Sequence, residues 1–270
     1  MPEYRDNHPG GRGLPWRISA ALPWFVCGVV LFAASAWAQE ASVAVDDTQL
    51  LAMLGDDDYA VRQAATRRLL LDSSLTQDDI DSLFTKSETP EQRHRLLRIA
   101  KHHDIRRLIA IRFKDHAGAA SMGLSHAVVQ VLVQEEDESE TLPRAGVMAA
   151  LTLPGFPAYA TMDPGDVIIE FDGKAVQDNI TGALFQREIQ TRRAGQTIRL
   201  KVVRNGAVQT IQMTLSNSQA LGEAYNNNGA TLNNPYRDQW TKTREQMLSL
   251  IVDEQDVNND EDSPATEPAP

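Results

Sequence analysis

A chain of 270 residues with a single cysteine, Cys27, has no internal disulfide and no cysteine pair to hold a metal. Basic residues are in deficit as well: 26 Lys and Arg stand against 37 Asp and Glu, a formal net charge of −11. That balance argues against nucleic acid and anionic membrane surfaces as partners. Nucleophile signatures are missing. Neither Gly-x-Ser-x-Gly nor Gly-Asn-Ser-Gly-Gly occurs, and no glycine-rich phosphate loop follows a strand pattern. The one glycine cluster, Gly10-Gly11-Arg12-Gly13, precedes an apolar run instead. Histidines do not gather as ligands. On a helix His94 and His102 would stand about 12 Å apart, and His102 and His103 would point about 100° apart. No His-Glu-x-x-His spacing exists. The residues thus suggest no metal, no cofactor and no enzyme.

Only one long apolar run is present, from about Ile18 to Ala34. Arg5, Arg12 and Arg17 precede it, and Ala36-Trp37-Ala38 follows with small-x-small spacing. Residues 1–38 therefore read as a secretory signal peptide cleaved before Gln39. The alternative is an uncleaved membrane anchor, since the run approaches spanning length. Either way the expected location is periplasmic or otherwise extracytoplasmic. Cys27 lies inside the run, so the mature chain would have no cysteine. Residues 1–38 carry three Arg against Glu3 and Asp6, so the remainder is one unit more acidic than the whole.

Residues 46–113 carry helix signals. Asp58 is placed to cap a helix whose buried face is Val61, Ala64, Ala65 and Leu69. Thr76 is placed to cap a second, through Ile80, Leu83 and Phe84. Thr89-Pro90-Glu91-Gln92 combines an N-cap, a proline at the first helical position and a capping-box glutamine. That last helix passes Leu96, Leu97 and Ala100 and is expected to end near Leu108. Residues 57–70 resemble one HEAT-type helix. A single copy is too few for a solenoid, so a small helical bundle is expected.

The sequence then changes period. Pro164-Gly165 is a turn, and Val167-Ile168-Ile169 is a β-branched run suited to a buried strand. Asp172-Gly173 and Asn205-Gly206 are hairpin dipeptides. Thr197 to Val203 and Val208 to Leu215 alternate apolar and polar positions, as half-buried strands do. Between them Leu184, Phe185 and Ile189 have helical spacing, in a segment ended near Gly195.

This order of strand, turn, helix and hairpin resembles the second half of a bacterial PDZ domain, of the type found in HtrA-like extracytoplasmic proteins. Ser121-Met122-Gly123-Leu124 fits the carboxylate-binding loop that the first half of such a domain would need. Ala127 to Gln134 and Gly146 to Leu153 then read as the next strands. The resemblance covers about 117–217. It implies an α+β fold: a PDZ-like, partly open β-barrel or sandwich with a groove helix, preceded by the helical region. It also implies binding of extended or C-terminal peptides of envelope proteins by strand addition. The loop donors would be Met122, Gly123 and Leu124, and the pairing strand would start at Leu124-Ser125-His126. The groove side of the helix would be Leu184, Glu188 and Thr191, with Phe185 and Ile189 in the core. Glu188 and Thr191 depart from the small or apolar residues usual there.

Such modules often accompany serine proteases. Here the preceding region is helical and too small for a two-barrel catalytic domain, and no α/β domain follows for a Ser-Lys enzyme. The reading is a peptide-binding scaffold, with an accessory or regulatory subunit of a separate protease as the alternative. Residues 218–270 read as an Asn-rich linker, one short amphipathic helix between Pro235 and Val252, and a tail from Asp253. The tail has seven acidic residues, three prolines and no basic residue, and disorder is expected there.

Overall fold

The computed structural model describes residues 46–114, 118–133, 142–226 and 231–261, with side chains to Ile251. The expected signal peptide and residues 262–270 lie outside the described residues. Among the described residues no helix is long and apolar enough to cross a membrane.

The first helices are α1 (Asp47–Leu54), α2 (Tyr59–Leu71), α3 (Gln77–Thr85) and α4 (Pro90–Arg112). Their starts follow from side-chain capping of otherwise unpaired amides. Asp58 Oδ1 accepts from the Ala60 N–H at 2.7 Å. Thr76 and Asp79 form a reciprocal capping box, as do Thr89 and Gln92. The Gln92 amide also donates to the Leu51 carbonyl at 2.8 Å, which ties α4 to α1. α4 does not end near Leu108. Ile105 and Ile109 are buried beside Leu153, Phe156 and Tyr225, and this packing carries the helix on to Arg112.

The sheet region contains β1 (Ala120–Ser121), β2 (Leu124–Val133), β3 (Leu142–Thr152), α5 (Pro157–Thr161), β4 (Val167–Phe171), β5 (Lys174–Ala175), α6 (Gly182–Gln190), β6 (Thr197–Arg204), β7 (Ala207–Thr214) and β8 (Ser216–Asn217). β2, β3, β4, β6 and β7 lie in that order in one antiparallel sheet, with β5 on β4, while β1 and β8 pair separately. The sheet is open, not a closed barrel, and among the described residues β2 and β7 are its edges. Asp172 and Gly173 have φ of 48° and 80°, and Asn205 and Gly206 have 52° and 79°. Both hairpins therefore turn with positive φ at each central residue, as the dipeptides require. The main core lies between the sheet and α6, where Phe185 and Ile189 meet Val147, Ile168, Leu200 and Val202.

Asp166, of the Pro-Gly-Asp turn, is only 2% exposed. It binds Arg204 through two contacts of 2.6 and 2.8 Å, and Arg204 also donates to the Thr161 carbonyl at 3.0 Å. Hydrogen bonding to Asp166 raises the Arg204 pKa against the opposing effect of burial. Next to this pair, Asp163 accepts from Gln63 and Arg67 of α2 at 2.9 and 2.8 Å. The helical region is thereby fastened to the sheet, and both belong to one compact unit.

The sequence after β8 is helical: its first helix stands where a linker is expected, and its second contains the short helix expected between Pro235 and Val252. It forms α7 (Ser218–Ala224) and α8 (Tyr236–Glu261). Asn217 caps α7 by accepting from the Gln219 N–H at 2.8 Å. Ala220, Ala224, Tyr225 and Tyr236 pack against Ile105 and Ile109 of α4. Trp240, Met247 and Ile251 share one face of α8 and join the core of α1–α4. Thr243 donates to Asp104 of α4 at 3.0 Å. The backbone of α8 continues past this packed face to Glu261.

Candidate functional site

The edge strand β2 faces α6 across a cavity of about 470 Å³. Its closed end is the Ser121–Leu124 turn. Gly123 has φ +71°, and a Cβ there would collide with the Phe156 side chain. Only glycine satisfies both constraints. The Met122 carbonyl accepts from the Ala158 N–H at 3.0 Å and the Gly123 carbonyl from the Leu153 N–H at 2.9 Å. Both loop carbonyls are thus drawn back into the body of the domain. The Gly123 N–H donates to Ser121 Oγ at 3.1 Å. The Ser121 hydroxyl thus occupies the Gly123 amide from within the loop.

The other end is set by His126. Its Nε2 lies 3.2 Å from the Gly182 carbonyl, and its ring packs on Phe185 with centroids 5.0 Å apart. His126 therefore spaces β2 from the first turn of α6. That turn is capped by Thr181, whose Oγ accepts from the Leu184 N–H at 3.2 Å.

Met122, Gly123, Leu124, Ser125 and His126 all line the cavity. The helix residues do not match the expected set. α6 presents Phe185, Gln186, Ile189 and Gln190 to the cavity. Leu184 is 41% exposed and lies off it. Glu188 accepts a 3.0 Å ion pair from Arg192, and Thr191 Oγ donates to the Glu188 carbonyl at 2.7 Å at the helix end. The physical reason is that the buried apolar face of α6 and its groove face adjoin. Phe185 and Ile189 serve core and cavity floor together, and the amides of Gln186 and Gln190 form the wall.

A further wall comes from the C-terminal segment: Ser218, Leu221, Gly222, Tyr225 and Asn226 line the same cavity. Tyr225 is held by its hydroxyl, which donates to the Pro154 carbonyl at 2.9 Å. Burial pushes that phenol well above its usual pKa, so it stays protonated as the donor. The composition of residues 218–226 carries no groove signal, which is why the sequence pattern reads there as a linker. Among the described residues, no three His, Cys, Asp or Glu side chains gather as a metal site needs.

Residues 109–215, which hold the open strand edge, the positive-φ glycine turn and the facing helix, match the sequence model of the PDZ domain family. This stretch is a PDZ domain. Two solved structures are similar to the chain over 42% of its length: the HtrA-type protease AlgW with a decapeptide, at 21% identity and a TM-score of 0.29, and a variant of it with a decapeptide, at 18% and 0.28. The similarity covers 33% of each of those chains. None of the curated proteins compared matches the chain. PDZ domains are peptide-binding interaction modules, not catalysts.

Proposed function

We propose that this protein is an exported capture module whose PDZ domain takes an extended peptide as an added strand on β2, with the peptide's terminal carboxylate at the Ser121–Leu124 loop. The observation that carries the reading is the alignment of three elements along one cavity: the free β2 edge, the Gly123 loop and α6. Main-chain hydrogen bonds to β2 would supply most of the affinity, and side chains would settle against Phe185, Ile189 and the glutamine amides. The polar wall of Gln186, Gln190, Ser218 and Asn226 favours a ligand end residue that hydrogen-bonds over a bulky aliphatic one. Export rests on the signal-like residues 1–38, so the ligands are segments of other envelope proteins. Micromolar affinity is expected, because ordering a peptide consumes much of the main-chain gain. The test is to titrate a library of C-terminal peptides into the full chain by fluorescence anisotropy. Saturable binding by a subset of sequences supports the proposal, and no binding by any free-carboxylate peptide overturns it.

A further inference from the structure

A second cavity, of about 800 Å³, lies between α4 and the far end of the sheet. One face of α4 forms its wall through His102, Arg106, Ile109 and Ala110, and Phe113 and Lys114, just past the helix end, continue it. Leu70 and Leu71 at the end of α2 extend the apolar surface, and Leu71 is 50% exposed. The opposite wall is polar, with Thr197, Gln212, Thr214 and Ser216.

The charge of this cleft is opposite to that of the chain. Among the described residues its lining holds Arg106 and Lys114 and no Asp or Glu, in a protein of net charge −11. Arg106 makes no ion pair among the described residues. His102 adds a hydrogen-bond donor to the lining of this cleft. Its Nδ1 accepts from the Gly155 N–H at 3.0 Å. The ring proton of the neutral form must then sit on Nε2. Among the described residues no acceptor takes that Nε2–H, and the atom is not one sealed from solvent.

We propose that this cleft binds an acidic, extended peptide segment of a partner protein, at a site separate from the β2–α6 groove. Carboxylates of the segment would pair with Arg106 and Lys114, and a main-chain carbonyl would accept from His102 Nε2–H. Apolar side chains would pack on Leu71, Ile109 and Phe113. The hydroxyls and amides of the opposite wall fit peptide groups, whereas an acyl chain would leave them unpaired. From Thr243, beside Asp104, to Ile251, α8 packs on the core of α1–α4 and does not line this cleft.

The test uses the full chain and a labelled hexapeptide of alternating Glu and Leu, acetylated and amidated at its ends, with a Gln-Leu counterpart as control. The blocked C-terminus offers no terminal carboxylate to the Gly123 loop, and the Arg106 and Ser121 variants separate this cleft from the first groove. The Glu peptide is expected to bind at least ten-fold more tightly than the Gln peptide. Arg106→Gln, at an exposed position that tolerates change, should weaken it at least five-fold. Leu71→Ser should weaken it as well, and Ser121→Ala should leave it unchanged. Equal binding of the two peptides, no binding of the Glu peptide, or full affinity in Arg106→Gln overturns the proposal.

Discussion

The Gly155 N–H donates to Nδ1 of His102 at 3.0 Å, so the helical bundle holds the backbone immediately before Phe156. Phe156 in turn lies directly beneath Gly123. The carboxylate loop is therefore supported from below by α4, and the ring of His102 stacks on Tyr159 at 5.4 Å to complete the joint. The helical region fixes the geometry of the PDZ groove and is not a detachable neighbour.

That joint makes stability depend on pH. Burial, with His103 and Arg106 nearby, pushes the His102 imidazole from 6.5 down to about 3. Between those values the unfolded chain binds a proton that the folded chain excludes. Stability is therefore intact above about pH 6.5 and falls as the pH drops through that window. From pH 6.5 to 5 the loss due to this residue is about 2 kcal/mol, at ~1.4 kcal/mol per unit. His102→Asn, which keeps an acceptor near Nδ1, should remove that part of the slope. Urea unfolding of both proteins at the two pH values measures the difference, and identical slopes would show that His102 is not held neutral.

Gly123→Ala combines a left-handed backbone with a Cβ that meets Phe156. It should cost about 2–4 kcal/mol and displace the loop. Thermal melting together with peptide titration checks this. A variant that melts like the wild type and binds normally would mean that the loop relaxes freely.

Ser121→Ala removes the hydroxyl that accepts from the Gly123 N–H. With that amide free for a ligand, affinity for carboxylate-terminated peptides should rise about five-fold, the worth of one net hydrogen bond. A fall in affinity would show that the hydroxyl itself binds the ligand.

Asp166→Asn leaves Arg204, with its side chain 9% exposed, short of its buried partner. Removal of one member of a buried pair costs about 3–5 kcal/mol. Asp163 lies 3.3 Å from Arg204 and holds the result to the lower part of that range. Urea denaturation reads it directly.

Much of this architecture is legible in the sequence because it rests on local rules. Asp58, Thr76 and Thr89 announce helix starts by capping chemistry, and Asp172-Gly173 and Asn205-Gly206 announce hairpins through positive φ. The x-Φ-Gly-Φ pattern marks the loop at Gly123, since the constraint there belongs to one residue. What escapes is set by tertiary packing. The groove face of α6 is one step of about 100° from the expected one, and an apolar pattern does not separate a core side chain from a cavity floor when Phe185 and Ile189 are both. The wall formed by Leu221, Tyr225 and Asn226 is hidden in an Asn-rich segment whose order depends on α4, more than a hundred residues away in sequence. The extension of α4 past Leu108 has the same origin, since Ile105 and Ile109 are buried only once that segment has docked.

The central claim is strand addition at β2, and amide hydrogen exchange with a bound peptide tests it most directly. With a saturating free-carboxylate peptide, alternate amides of β2 between Leu124 and Val128 should slow, in a period of two, while β7 stays unchanged. Binding without that alternating protection, or with protection at β7 instead, would contradict the account.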